Sequence, residues 1–176
     1  MRAVIQRVAQ ASVCCSGSGT SSIERGLCIL LGIESTDSNT DSQTLINKIL
    51  DLKLFPSSNE NNNNNSNSDD NQNGAGESSN GTTKRWARSV RDIEGEVLVI
   101  SQFTLHATYK GKKPSFHRAM GPEKARGMFY EFVEQMRKEY VVEKVKNCVF
   151  GSYMSVELVN DGPVTVIVDT KNLRGG

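Results

Sequence analysis

Histidine and cysteine are scarce in this 176-residue chain: two of the first and four of the second. Cys14, Cys15, Cys28 and Cys148 show neither C-x-x-C nor Cys/His metal spacing. Adjacent Cys14-Cys15 is a poor disulfide pair and a poor chelate, so all four are expected as reduced thiols, with no metal. No P-loop, no G-x-G-x-x-G and no G-x-S-x-G nucleophile elbow occurs, which leaves the common phosphate, dinucleotide and serine-hydrolase devices without a carrier. No cofactor is expected. No apolar run approaches the ~18 residues of a membrane span. The first ten residues, MRAVIQRVAQ, carry Arg2, Gln6 and Arg7 where a signal peptide would be apolar, so a soluble cytoplasmic protein away from the membrane is the expectation. Net charge is only +1, so any basic surface must be a patch. An enzyme built from these residues would lack the usual side-chain acid–base machinery.

Large aliphatic and aromatic residues are missing altogether from 57–83, SSNENNNNNSNSDDNQNGAGESSNGTT. Such a tract cannot bury enough apolar surface to offset its ordering entropy. It is expected as a disordered loop insert in one domain spanning 1–176, because DLKLFP before it and RWARSVRDIEGEVLVISQF after it both have core composition. The remainder alternates strands and helices. MRAVIQRV with ASVCC makes a first strand or a bent pair, SGSGT (16–20) is a hairpin signal, and GLCILLGI (26–33) is a buried strand. Thr40 and Gln43 fit a capping box ahead of a helix over 41–53. EVLVISQFTL (96–105) is a central strand. Pro122 opens a second helix, with Ala125, Met128, Phe129, Phe132, Val133, Met136 and Tyr140 on one stripe. YMSVELV (153–159) and VTVIVD (164–169) close the chain as two strands. Several strands with two helices argue for an α+β class.

Three segments are candidates for chemistry. Ser101, Gln102, Phe103 and Thr104 end the central strand and run into a loop carrying Lys110, Lys112, Lys113, His117 and Arg118, with no acid between 106 and 118. This is either a solvated strand end with a charged loop, or a ligand-facing terminus beside a phosphate patch. Asn160-Asp161-Gly162-Pro163 interrupts a β-run with its strongest breaker pair. It is either a tight turn or a rigid backbone device built on a cis Gly-Pro bond. Arg7 sits in an apolar first strand and either points to water or clamps the carbonyls of another segment.

Taken in order, MRAVIQRV, GLCILLGI, SQFTL, KGKKPSF and NDGPVT resemble a D-aminoacyl-tRNA deacylase, over the whole chain except 57–83. The two signature segments have the forms SQ-x-x-L, at Ser101–Leu105, and N-x-G-P-x-T, at Asn160–Thr165. The resemblance implies a single compact domain, mainly an antiparallel sheet or partly open barrel with two main helices. It implies hydrolysis of the ester between a D-amino acid and the 3′ end of tRNA, with chiral proofreading of translation as the outcome and glycyl-tRNA as a further substrate. It implies a homodimer in which Gly162 and Pro163 of one subunit present their carbonyls to the substrate's α-amino group in the other, and Asn160 belongs to that motif. Arg7 would hold the motif, and Phe150 would line the adenosine end. Ser101 and Gln102 would position that adenosine, while backbone donors near Phe103 and Thr104 would stabilise the oxyanion. Thr104 as a nucleophile lacks a base to activate it. From its charge alone, and not from the resemblance, the basic loop would meet acceptor-end phosphates. Three alternatives stay open: a tRNA 3′-end binding module without turnover, a related L-alanyl-selective deacylase, and a thiol hydrolase pairing Cys14, Cys15 or Cys148 with His106 or His117.

Overall fold

The computed structural model describes residues 1–15, 19–57 and 84–173. The expected insert, apart from Ser57, and residues 16–18 of the hairpin signal lie outside them. Apolar alternation builds the sheet. Strand β1 (Arg2–Cys15) pairs antiparallel along its whole length with β8 (Met154–Asp169). Its other edge is shared by β3 (Gly26–Gly32), against residues 2–8, and β2 (Gly19–Ile23), against residues 11–15. β4 (Glu96–Ser101) and β7 (Val145–Asn147) then add in parallel beyond β3. Antiparallel pairing therefore holds around β1, while β3–β4–β7 makes the sheet mixed. It curls until β2 approaches β4 and β7.

Each face of the sheet buries its own core. Ala3, Ile5, Leu27, Ile29, Leu31, Val97 and Val99 face helices α1 (Asn39–Asp51) and α2 (Pro122–Glu139), meeting Leu45, Ile49, Phe129 and Phe132. Val8, Ala11, Val13, Cys28, Leu98 and Ile100 fill the inside of the curl. Inward positions on β1 change from even to odd between Val8 and Ala11. The register slips at that place, between Val8 and Gln10, and an extra residue reverses the facing of a period-2 strand.

Several expectations change. α1 starts earlier than 41, and its cap is Ser38, whose N–H and Oγ donate to the Asp41 carboxylate at 3.0 and 2.7 Å; Thr40 and Gln43 do not form the box. The central strand ends at Ser101, and Phe103–His106 form a 3-10 turn. The two closing strands are one, β8, paired to β1 on both sides of the interruption. Cys15 and Cys148 are not free thiols: they are joined as a disulfide, with Cα atoms 6.7 Å apart, between the end of β1 and the segment after β7. Cys14 is exposed and Cys28 buried, both unpaired among the described residues. Two three-residue strands, β5 (Thr108–Lys110) and β6 (Lys113–Ser115), form a separate ribbon.

Candidate active site

The site begins at a glycine. A Cβ on Gly32, at the end of β3, would fall 2.9 Å from the Leu105 Cβ and 3.1 Å from the Gln102 carbonyl oxygen. Without one, the 3-10 turn lies directly on the strand end, and the Gln102 N–H donates to the Leu31 carbonyl at 2.8 Å. The turn throws Phe103 outward, 57% exposed, with its ring edge-on to Phe116 at 5.1 Å. Gln102 Nε2 donates to Thr104 Oγ1 at 2.5 Å. Among the described residues no acceptor takes the N–H groups of Phe103 or Thr104, as expected where a helical turn opens.

The facing wall is the segment Phe150–Met154. Gly151 N–H donates to Ser101 Oγ at 3.3 Å and Phe150 N–H to Tyr130 Oη at 3.2 Å, so the strand end and α2 both fix this segment. The Phe150 ring packs 5.5 Å from that of Phe129, with the Arg126 guanidinium 5.9 Å over its face. Between the walls is a cavity of about 680 Å³ lined by Ser101, Gln102, Phe103 and Phe150, with Phe116 and Met120 behind. That size and its mainly apolar lining suit a small-molecule moiety.

Thr104, Arg7, Asn160, Gly162 and Pro163 do not line the cavity. Gly162 and Pro163 sit on a bulge of β8, with Asn160 paired just before it. Arg7 faces Val164 and Val8 faces Asn160, so Asp161, Gly162 and Pro163 stand out of register with β1. The Gly162-Pro163 bond is cis and Gly162 has φ +132°, both residues being exposed. Arg7 points inward beneath them, beside Phe55. Its Nε donates to the Asp161 carbonyl at 2.9 Å and its Nη1 to the Leu54 carbonyl at 2.6 Å, and the Asp161 carboxylate lies 3.2 Å from Nε. Of the two readings of Arg7, the clamp is the one observed. Its side chain leaves β1 on the same face as Ala3 and Ile5, where these two carbonyls are within reach.

Among the described residues the usual nucleophile–base sets are not assembled. His106 is buried with Nε2 lacking a partner among the described residues, and His117 Nδ1 is 2.9 Å from Ser115 Oγ on the β5–β6 ribbon. No cysteine among the described residues lines the cavity, and burial pushes the Cys28 thiol up to about 11. Among the described residues no group of His, Cys, Asp and Glu is arranged for a metal, and no helix is long and apolar enough to cross a membrane. Residue reasoning did not single out Phe116, Met120, Tyr130 or Tyr153. Phe116 had a signal, as the aromatic of KGKKPSF; the others look like ordinary core or surface positions.

The family described as D-Tyr-tRNA(Tyr) deacylase matches residues 4–74 and 77–169. The chain is 41% identical over 170 residues to D-aminoacyl-tRNA deacylase 1 of Homo sapiens, an alignment covering 97% of this chain and 70% of that protein. It is 40% identical over 171 residues to the D-aminoacyl-tRNA deacylase of Dictyostelium discoideum, covering 97% and 99%. A solved structure named c-Myc DNA Unwinding Element Binding Protein superposes with a TM-score of 0.79 at 40% identity, over 96% of this chain and 98% of that one.

Proposed function

The chain belongs to the D-Tyr-tRNA(Tyr) deacylase family and is a hydrolase of D-aminoacyl-tRNA, and from that premise we propose how it acts. The cavity takes the aminoacylated 3′ end of tRNA. Ser101 and Gln102 position the terminal adenosine, and Phe150 supplies its aromatic wall. Water attacks the ester carbon, and the N–H groups of Phe103 and Thr104 donate to the oxyanion that develops. A ribose ester is already activated, and the vicinal 2′-hydroxyl of the substrate helps to place the water. The protein therefore contributes orientation and preorganised dipoles rather than a nucleophile.

Selection of configuration rests on Gly162 and Pro163 of a second copy. They enter the cavity, offer carbonyl oxygens to the α-amino group and leave no room for a side chain in the L position. A D-aminoacyl group or glycine fits, so glycyl-tRNA is a second substrate. Asn160 belongs to the same motif, and Arg7 fixes the motif's backbone. The observation that carries this reading is the separation of the two halves: the Ser101–Phe103 wall lines the cavity, whereas the motif stands exposed elsewhere on its own chain. The working unit is then a homodimer acting on charged tRNA in the cytoplasm, ahead of protein synthesis.

The test is release of amino acid from D-tyrosyl-tRNA, L-tyrosyl-tRNA and L-alanyl-tRNA side by side. Release from the D ester alone is expected. Release from L-alanyl-tRNA in preference would make the enzyme L-selective, and binding without release from any ester would make it a tRNA-end binder.

A further inference from the structure

Between residues 106 and 130 the chain has one carboxylate, Glu123, against a run of cations. The structure divides that run. Arg118 is committed internally, with Nε 2.8 Å and Nη2 2.6 Å from Glu34 Oε1. His117 Nδ1 lies 2.9 Å from Ser115 Oγ and 3.4 Å from Thr108 Oγ1, at the base of the ribbon. Lys110, Lys112 and Lys113 are exposed and make no ion pair among the described residues.

These lysines are carried on a built hairpin. Its register is Thr108↔Ser115, Tyr109↔Pro114 and Lys110↔Lys113. Gly111 has φ +62° and Lys112 does not have positive φ, the pattern of a two-residue type II′ turn. The ribbon is about 10 Å long. Its register places Lys110 directly opposite Lys113, with Lys112 at the tip. Like charges directly opposite each other destabilise a bare hairpin, whereas a polyanion lying across them attracts both and offsets that repulsion. The location is equally pointed. The residue after β6 is Phe116, which lines the cavity and meets Phe103 edge-on. Across the same mouth, the first turns of α2 expose Lys124 and Arg126.

We propose that Lys110, Lys112 and Lys113 form a phosphate clamp that holds the backbone of the tRNA acceptor arm as its 3′ end enters the cavity. This rests on reading the cavity as the site of the aminoacylated end. Three ammonium groups on a ribbon read charge and spacing rather than base identity, so the clamp acts alike on tRNAs of different sequence. It serves binding of the whole tRNA and takes no part in the ester chemistry.

The test compares the wild type with a K110Q/K112Q/K113Q variant. It uses D-tyrosyl-tRNA, D-tyrosyl-adenosine (the same ester without phosphates) and uncharged tRNA, over a salt series. Removing three ammonium–phosphate pairs is expected to lower kcat/KM on the tRNA ester by about ten- to a hundredfold through KM, and to make the log–log salt slope of tRNA binding shallower by about 2 to 3. Hydrolysis of D-tyrosyl-adenosine stays unchanged, and the melting temperature holds or rises because the Lys110–Lys113 repulsion is gone. An unchanged salt slope with unchanged tRNA kinetics overturns the clamp. Equal loss on D-tyrosyl-adenosine also overturns it, since the ribbon would then belong to the ester site. If the wild type releases neither ester, the deacylase reading fails by itself, and the salt slope for uncharged tRNA still decides the clamp.

Discussion

Thr104 has a hydroxyl near the mouth of the site but, among the described residues, nothing to deprotonate it. Its oxygen accepts from the Gln102 amide, and an amide does not take a proton at neutral pH. The nearby histidine, His106, is buried and makes no bond to it. Thr104→Ala is therefore expected to keep hydrolysis of D-tyrosyl-tRNA within about tenfold of wild type in single-turnover assays. Removing a true nucleophile costs on the order of a millionfold, and a loss on that scale would return Thr104 to the chemistry. Arg7 works differently. Its two carbonyl bonds, to Asp161 and Leu54, join the β8 bulge to the segment after α1, so it sets the position of Gly162 and Pro163 without touching the cavity.

At the scale of elements, the tract 58–83 is flanked by chain that is already joined. Ser57 N–H donates to the Lys84 carbonyl at 2.9 Å, Lys84 N–H to Ser57 Oγ at 3.2 Å, and Phe55 N–H to the Arg88 carbonyl at 2.9 Å. These ends match the two sides of a hairpin, so replacing 58–83 by Asn-Gly is expected to leave the urea midpoint and the deacylation rate unchanged. Loss of either would assign the tract a role in folding or catalysis. The helices were legible in the sequence because their 3.6-residue stripes are long, and β3 and β4 because their apolar runs are bounded. What was not legible is non-local. Ser38/Asp41 and Thr40/Gln43 both fit a cap, and the choice falls to Asp41, which also reaches Thr170 from the far end of the chain. Strands β5, β6 and β7 are too short to show a period. β8 stays one strand across a Gly-Pro because β1 pairs with both halves. The Cys15–Cys148 pair spans 133 residues, beyond any spacing rule. Of the site, the SQF and Phe150 walls were legible through family resemblance. The wall made by Met120 and Tyr153 depends on how the strand ends are stitched together, as where Met120 N–H donates to the Ile33 carbonyl at 3.0 Å.

For the whole molecule, carboxylates tie distant segments together and set the acid limit. Burial alone would raise Glu34, Asp169 and Glu96, but it is outweighed. Lys171 and Arg118 lower Glu34; the Lys171 N–H and Arg2 lower Asp169; the Glu24 N–H and Lys146 lower Glu96. Groups depressed in the folded state stabilise it fully above their unfolded values, about 4 to 4.5, and lose that contribution as pH falls through the folded values. The urea midpoint is expected to be flat from pH 7 to about 5 and to drop below about 4, less steeply in Glu34→Gln. A midpoint that rose on acidification would refute the sign.

β8 turns apolar side chains to the outside, Ile167 at 68% and Val159 at 50% exposure, on the strand that carries Gly162 and Pro163. A second copy packed there would cover them and bring its own cavity toward the motif. Mixed dimers separate this from a motif acting within its own chain. One chain carries Gln102→Ala, which damages the cavity; the other carries Gly162→Val, which damages the motif, since a Cβ there would sit 2.9 Å from Val164. In a homodimer of either variant alone, no site would be intact. After 1:1 mixing and re-equilibration, half the dimers are mixed. If the motif acts across the interface, each mixed dimer has one site with both faults and one with neither, restoring about a quarter of wild-type activity. If the motif acts within its own chain, every site keeps one fault and mixing restores nothing.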